Sequence, residues 1–530
     1  MSTDEPAMRK INPLFWRDNV FRAFWRLSLV IGILLWSSFS WGEPKELRII
    51  HFNDFHGFAR PHRPLGFSEE MGGAAWIASL AEDLRGEKPT LFLAAGDMIH
   101  GDNWANLFKG ESVIRLLNAM RIDAMVLGNH EFDFGRGVLR QRIKEANFPI
   151  LGANVVGMEG IRRHVVKEVG KVRVGIIGVI TPETPLATHP RNVLGLKFLN
   201  PEEVLVRELE AIPKDVDIVV VLSHCGYSKD REIASRVRGI HVIVGGHSHT
   251  RLDEPVQIGD TIIVQAWEHG KTLGVLDLLV DGGKILSWKG GLRDIMPSRW
   301  QPDPMAMGIV ERYSRQISRL LDTVVGVAEV DLDGENVRDR ETNFGNLVAD
   351  LLREVAGAHV ALVNGGSIRR SIPRGPVTLD SIYSALPFDN YVVTLKIRGK
   401  ELWEALEHGV NGKGKGRFPQ VSGMRITYCP QGEPGKRLRE VRVGMELLEM
   451  DNTYLLATND FLAAGGDGYS SFVQGLEEGS KIENLGGALV GGSITFSDPG
   501  RWVRELLAEK VKERGILSPS LEGRIVEACP

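Results

Sequence analysis

The chain has 530 residues, a net charge of −4, 43% apolar and 25% charged residues. That length suits two or three domains, and the composition excludes a disordered or fibrous class. The slightly acidic balance leaves no basic footprint, so no nucleic-acid partner is expected.

The N-terminus has its own layout. Arg9, Lys10, Arg17, Arg22 and Arg26 precede the apolar run from Leu27 to Trp36, and SSFSWG follows at 37–42. A charged segment, a short apolar core and small residues, in that order, make a secretory signal peptide. The apolar core falls short of the roughly 20 residues of a membrane span. Residues 1–42 are therefore expected to be a signal peptide. An uncleaved N-terminal anchor is the alternative, because Trp41 sits where small residues favour cleavage. The expected location is exported, periplasmic or extracellular, with membrane contact only if this segment is retained. Cys225, Cys429 and Cys529 show no CxxC spacing, so thiolate metal binding is not expected, and spacing alone assigns no disulfide.

From 46 to 295 the chain alternates short apolar runs with helical stretches. The runs are LRII, TLFLAA, AMVL, VGIIGVI, DIVVVL, HVIV and TIIV, mostly rich in Val and Ile and bounded by Gly, Asp or Asn. Helices are expected at 74–85 and 111–120. This is an α/β domain. Pro297, Pro302 and Pro304 then mark a linker and connecting helix over 296–322. A second domain is expected over 323–525, with helices at 343–356 and 400–409 and strands at 391–397 and 454–457. The Gly- and Lys-rich stretch VNGKGKGRFPQVSG, 410–423, is expected to be a mobile loop.

Chemistry-bearing residues follow the strand-like runs. LRIIHFN is followed by Asp54 and His56, TLFLAAG by Asp97, AMVLG by Asn129 and His130, DIVVVLS by His224, and HVIVGG by His247 and His249. Asp54 and His56, two apart on an extended chain, face the same way. Each motif alone has a plain alternative as a turn, a cap or a half-buried histidine. Together they are stronger, because ligand sites in open α/β sheets lie at the carboxyl ends of strands. Carboxylate, imidazole and amide without thiolate suit zinc, manganese or iron. Asp54, His56, Asp97, Asn129, His224, His247 and His249 are too many for one ion and suit two divalent ions sharing a carboxylate. Two such ions outweigh the charge of Asp54 and Asp97, so the centre stays attractive to an oxyanion. Metals about 4 Å apart polarise a phosphoryl group and activate water. His130, three residues before Asp133, is placed to form an Asp–His pair that holds a charged imidazole over the transferring group.

HFNDFHG, AAGD, LGNHEFDFG, LSHCG and GGHSHT resemble the blocks of the calcineurin-like metallophosphoesterases. TNFGNLVAD, NGGSIRRSIPRGPVT, ALPFDN and NDFLAAGGDGY resemble the C-terminal domain of the 5'-nucleotidase family. The resemblance implies an N-terminal four-layer α/β/β/α sandwich joined to a second α/β, substrate-binding domain. It implies one metal held by Asp54, His56, Asp97 and His249, and another by Asp97, Asn129, His224 and His247, with Asp97 as the bridge. His130 would stabilise the transferring phosphoryl group and Asp133 would orient it. Phe388 and Phe461 would sandwich a nucleobase, Arg338 and Arg369 would contact phosphate, and Asn364 and Asp467 would contact base and ribose. Arg340 and Arg370 are neighbouring alternatives to the two arginines. His100 and Asp102 depart from the family pattern, and Lys413, Lys415 and Arg417 make a loop basic enough to favour polyanionic substrates. The expected function is an exported dimetal phosphohydrolase acting on nucleoside 5'-phosphates or related phosphate esters. The alternatives are a 2',3'-cyclic nucleotide phosphodiesterase or a UDP-sugar hydrolase, then a thiosulfohydrolase or a silent nucleotide-binding protein.

Overall fold

Alternate residues of the strand Lys45–Phe52 enter two different cores. Leu47 and Ile49 meet a second sheet, whereas Ile50 and Phe52 meet helices. That split follows from the period of two of an extended chain, and it is why the apolar runs are continuous rather than alternating. The computed structural model describes residues 43–64, 67–473, 482–485 and 488–529. The signal peptide or anchor expected over 1–42 lies outside them. No helix among the described residues is long and apolar enough to cross a membrane.

One six-stranded sheet runs in the spatial order Lys284–Asp294, Thr272–Asp281, Lys45–Phe52, Thr90–Ala94, Ala124–Val126, Ile150–Leu151. A second runs Val256–Ile258, Thr261–Gln265, Val242–Gly245, Ile218–His224, Val172–Ile180, His164–Val169. Leu47, Ile49, Val126, Ile176, Val220, Leu222 and Val244 fill the space between them. Helices Ala74–Glu87, Glu111–Ala119 and Pro304–Leu321 cover the outer face of the first sheet. Helices Pro201–Ala211 and Tyr227–Arg236 cover that of the second. The result is the four-layer α/β/β/α sandwich that the family resemblance implied. Within each sheet the strands that carry the candidate ligands run parallel.

The helix expected after the proline cluster is Pro304–Leu321. Asp303 caps it through a 2.8 Å bond from the Ala306 N–H, and Pro304 occupies the first turn, where no N–H is needed. Ala306, Val310, Tyr313, Ile317 and Leu321 form one stripe and complete the first core.

The second half is built on a five-stranded sheet in the order Pro419–Ser422, Val360–Asn364, Thr453–Asn459, Tyr391–Arg398, Ile494–Trp502. Helices Asn343–Ala356 and Val503–Arg514 pack on one face and Gly399–Val410 on the other. The stretch 410–423 is not one mobile loop. Its end, Pro419–Ser422, is a fully buried strand paired with Val360–Asn364. Phe418 and Val421 enter the core, and the Gln420 amide donates to the carbonyls of Val337 and Arg340. The glycines before it conceal an ordinary alternation. Cys429 and Cys529 form a disulfide where the strands Met424–Tyr428 and Ile525–Glu527 end side by side, and Cys225 is free and buried.

Polar contacts join the halves. Arg60 bonds Asp380 at 3.2 Å, Asn103 Nδ2 donates to Asp380 Oδ1 at 3.0 Å, and Arg370 lies 3.5 Å from Asp102. Asp102 also caps the short helix Asn103–Asn106.

Leu222 is fully buried between the two sheets. Leu222→Ala should lower unfolding stability by about 2–5 kcal/mol, read as a lower urea midpoint.

Candidate dimetal centre

The parallel strands deliver polar side chains at one edge of each sheet, and short loops turn them inward. Asp54, His56, Asp97, His247 and His249 all have positive φ, between 47° and 76°. Such conformations are uncommon outside glycine and collect at functional sites. Backbone bonds lock the loops together: His56 N–H donates to Asp97 O at 2.9 Å, and His247 N–H to Asp54 Oδ2 at 3.0 Å.

Two ligand clusters result. In one, the donor atoms of Asp54, His56 and His249 lie within 4.8 Å of one another; in the other, those of Asp97, His224 and His247 do. Asp97 Oδ2 faces both, 3.9 Å from His56 Nε2 and 3.1 Å from His224 Nε2. Its other oxygen accepts the His130 N–H at 2.9 Å.

Two observations test whether this set fits divalent ions. First, the rings present matching nitrogens. His56 Nδ1 faces His100 O at 2.8 Å, His224 Nδ1 faces Ala95 O at 2.7 Å, and His249 Nδ1 is bonded to Glu268 Oε2. Each Nδ1 must then carry the proton and each Nε2 the lone pair, the tautomer a metal needs. Second, His224 Nε2 and Asn129 Oδ1 are buried and make no hydrogen bond among the described residues. His224 Nε2 is near Asp97 but in no bonding geometry. Buried polar atoms are seldom left so. The residues fit the group.

Electrostatics agree. Burial raises the Asp97 carboxyl, but the charges of His224, His130 and His56 more than reverse this and hold it well below the usual range. Burial lowers the His224 imidazole, while Asp97 and Asp54 outweigh it and lift it to about 10. The same negative potential attracts a cation. Close packing demands glycine at 96: φ is 83° there, and a Cβ would sit 2.5 Å from His224 Nδ1.

His130 Nδ1 and Asp133 Oδ2 are 2.6 Å apart. Thr188 donates to the other Asp133 oxygen at 2.6 Å, and His100 Nδ1 lies 3.2 Å from Oδ2. Burial raises the Asp133 carboxyl, and His130 and His100 bring it below its ordinary value. It is an ionised acceptor that orients His130.

The second half reaches this centre. Arg369 Nη2 lies 3.1 Å from His56 Nε2, and Phe388 stacks on His100 with ring centroids 5.1 Å apart. Burial pushes the Arg369 guanidinium down to about 10, and nearby Arg338 adds to this. Among the described residues Arg369 forms no ion pair. Arg370 instead contacts Asp102, and Arg340 is exposed beside Asp333. Asn364 Nδ2 donates to Asp467 Oδ2 at 2.6 Å. Phe461 packs under Gly466, where a Cβ would lie 2.4 Å from its ring, and no ring contact joins it to Phe388 among the described residues. Lys413 is paired with Glu527, so the basic loop is partly neutralised.

Sequence reasoning missed three supporting residues. Glu131 accepts N–H bonds from Asp97, Met98 and Gly128 at 2.5–2.9 Å and so shapes the Asp97 turn. Asn53 accepts the Ala266 N–H and donates to Trp267 O. Glu268 lies in none of the recognisable blocks. The place of Glu131 inside the block GNHEFD, between His130 and Phe132, was the available signal for it.

Residues 47–251 match the calcineurin-like phosphoesterase model, and residues 324–474 match that of the 5'-nucleotidase C-terminal domain. A snake venom 5'-nucleotidase from Crotalus adamanteus is 32% identical, over 91% of this chain and 88% of that protein. The chain belongs to the 5'-nucleotidase family. The trifunctional nucleotide phosphoesterase YfkN of Bacillus subtilis is 31% identical over 91% of this chain, which spans only 35% of that longer protein. The crystal structure of a 5'-nucleotidase precursor from Thermus thermophilus superposes with a TM-score of 0.82 at 34% identity, covering 91% of this chain and 99% of that one. As a member of this 5'-nucleotidase family the protein is a metal-dependent phosphoric ester hydrolase using two divalent ions.

Asn129→Ala removes an orphaned buried carbonyl. The metal-free protein should melt no lower than wild type, since an unmet buried polar atom costs about 1–3 kcal/mol. Divalent-ion affinity should fall. Calorimetric melting and metal titration read the two opposite effects.

Proposed function

We propose that the protein releases phosphate from nucleoside 5'-phosphates. The observation that carries this reading is Arg369: a half-buried guanidinium with no ion pair among the described residues, brought by the second half to within 3.1 Å of a candidate metal ligand. An anionic group between the arginine and the ions is what that geometry needs.

One ion would be held by Asp54, His56, Asp97 and His249 and the other by Asp97, Asn129, His224 and His247, with Asp97 common to both sets. Two bound ions supply Lewis acidity and lower the pKa of water. The chain does the rest. Arg369, with Arg338 behind it, grips phosphate oxygens. His130, held by Asp133 and charged when it takes a second proton, donates to the phosphoryl oxygen as negative charge develops. Phe388 offers an aromatic face to the base, with Phe461 as its counterpart, and base–aromatic stacking is worth roughly 1–3 kcal/mol in nucleic-acid binders. The Asn364–Asp467 pair takes up base and ribose hydrogen bonds. Residues 46–295 form the phosphoesterase domain, 296–322 the connection, and 323–525 the substrate domain.

Export also belongs to this reading. The Cys429–Cys529 disulfide supports it, because such bonds persist in oxidising compartments. The layout of residues 1–42 supports it independently.

The test is phosphate release from AMP, ATP, UDP-glucose, 2',3'-cyclic AMP and bis-p-nitrophenyl phosphate, with manganese, zinc or chelator. AMP should be hydrolysed only with metal, and Asp97→Ala should abolish it. Activity confined to the diesters would replace this reading with a phosphodiesterase.

Two variants separate binding from chemistry. Arg369→Ala should raise KM for AMP. Asp133→Asn should lower kcat about 10²-fold or more with metal content unchanged, the scale of a positioned acid or base.

A further inference from the structure

Resting on the dimetal reading, we propose that Glu268 is a positioning residue for one metal site: its carboxylate, anchored by Lys271, fixes the His249 imidazole with Nε2 toward the ion. Nothing in the spacing of the motifs pointed to position 268.

His249 Nε2 lies 3.2 Å from Asp54 Oδ1 and 3.4 Å from His56 Nε2, so it is the ring atom inside the cluster. His249 Nδ1 is bonded to Glu268 Oε2. An ionised carboxylate only accepts hydrogen bonds, so Nδ1 carries the proton and Nε2 is left with its lone pair. Glu268 Oε1 accepts from Lys271 Nζ at 2.7 Å. Lys271 is itself only 3% exposed, and its ammonium lies 3.6 Å from the centre of the Trp267 ring. Three groups in sequence thus hold one imidazole.

The backbone makes this support rigid. Trp267 and His269 both have positive φ, 54° and 56°, which bends the segment so that Glu268 points inward. His269 N–H donates to Asp54 O at 2.7 Å, and Asn53 Nδ2 donates to Trp267 O at 2.6 Å. The carboxylate behind His249 therefore rides on the same stitched loops as the ligand Asp54.

The other anchored rings differ. His56 and His224 lean on neutral carbonyls, of His100 and Ala95. Only His249 among these three leans on a carboxylate, which makes it a stronger donor. Glu268, His249 and His269 also lie close enough to suggest a third ion. The Lys271 ammonium on Glu268 Oε1 opposes that, because a second cation there meets its charge at short range.

The test titrates manganese into the metal-stripped full-length protein by calorimetry, with metal-free melting as the folding check. Wild type should take up two equivalents. Glu268→Gln should weaken one equivalent about 10–100-fold and leave the other unchanged, and Glu268→Ala should weaken that equivalent at least as much. His249→Gln supplies the decisive background, since an amide at 249 has no tautomer to fix. There, adding Glu268→Gln should change affinity less than about twofold, the mark of two residues acting as one unit. Equal weakening of both equivalents, an equal effect of Glu268→Gln in both backgrounds, or wild-type affinity in Glu268→Gln would each overturn the proposal while leaving the dimetal reading intact. A wild-type protein that binds no manganese or other divalent ion would overturn both.

Discussion

An imidazole can hold a cation only through a nitrogen that carries no proton, and in this centre that condition is set by what lies behind the rings. His56 turns its Nδ1 to His100 O, and His224 turns its Nδ1 to Ala95 O. Both carbonyls belong to the stretch that follows the strand Thr90–Ala94, the same stretch that carries Asp97. One loop therefore supplies the shared carboxylate and orients two rings from different sheets. Everything then depends on register. Phe52 pairs with Ala94 in a parallel ladder, and Ala94 in turn with Met125. A slip of one residue would invert every side chain on a strand buried on both faces, and would carry Asp97 away from both clusters.

Such a centre is costly to build. Five non-glycine residues at positive φ each cost on the order of 1–3 kcal/mol, and carboxylates, imidazoles and a guanidinium are taken out of water. The four-layer architecture offsets this with apolar cores on both sides of each sheet. The acids are met locally as well: Glu131 takes a fan of backbone N–H groups. Burial and Asp97 push its carboxyl up to about 7, while those donors favour the ionised form. The positive side is less balanced. Asn129 Oδ1 and His224 Nε2 have no hydrogen bond, and Arg369 has no ion pair among the described residues. Lone pairs suited to cations on one side and a guanidinium suited to an anion on the other are the complement of a dimetal phosphohydrolase and its substrate.

The strands and the ligand positions were legible in the sequence for one reason. A run such as DIVVVLSH announces a doubly buried strand and, at its end, the residue that strand presents. The Asn343–Ala356 helix was legible from its apolar period and the glycine at its end. Other features depend on neighbours distant in sequence. Pro419–Ser422 becomes a strand only because Val360–Asn364 lies beside it, and its glycine-rich approach hides that pairing. Cys429 and Cys529 are 100 residues apart, and only the pairing of Met424–Tyr428 with Ile525–Glu527 brings them together. Glu268 follows no motif, since its partner is fixed by the meeting of two sheets. The choice of Arg369 over Arg370 came from family resemblance alone; the geometry separates them, because Arg370 turns to Asp102 and Arg369 to His56.

That last pair bears on how the halves cooperate. The contacts between them include charged and polar ones, such as Arg60 with Asp380 and Asn103 with Asp380, beside the stacking of Phe388 on His100. Ion pairs with solvent access contribute little, typically up to about 1 kcal/mol. The contact of Arg369 with His56 Nε2 has a stronger consequence. That nitrogen is the one a cation would use, and a guanidinium 3.1 Å away would then face like charge at short range. An anion between them reverses the sign of the interaction, joining arginine and metal site through a common oxygen-rich group. Arginine and metal centre are thereby suited to hold one anionic group in common.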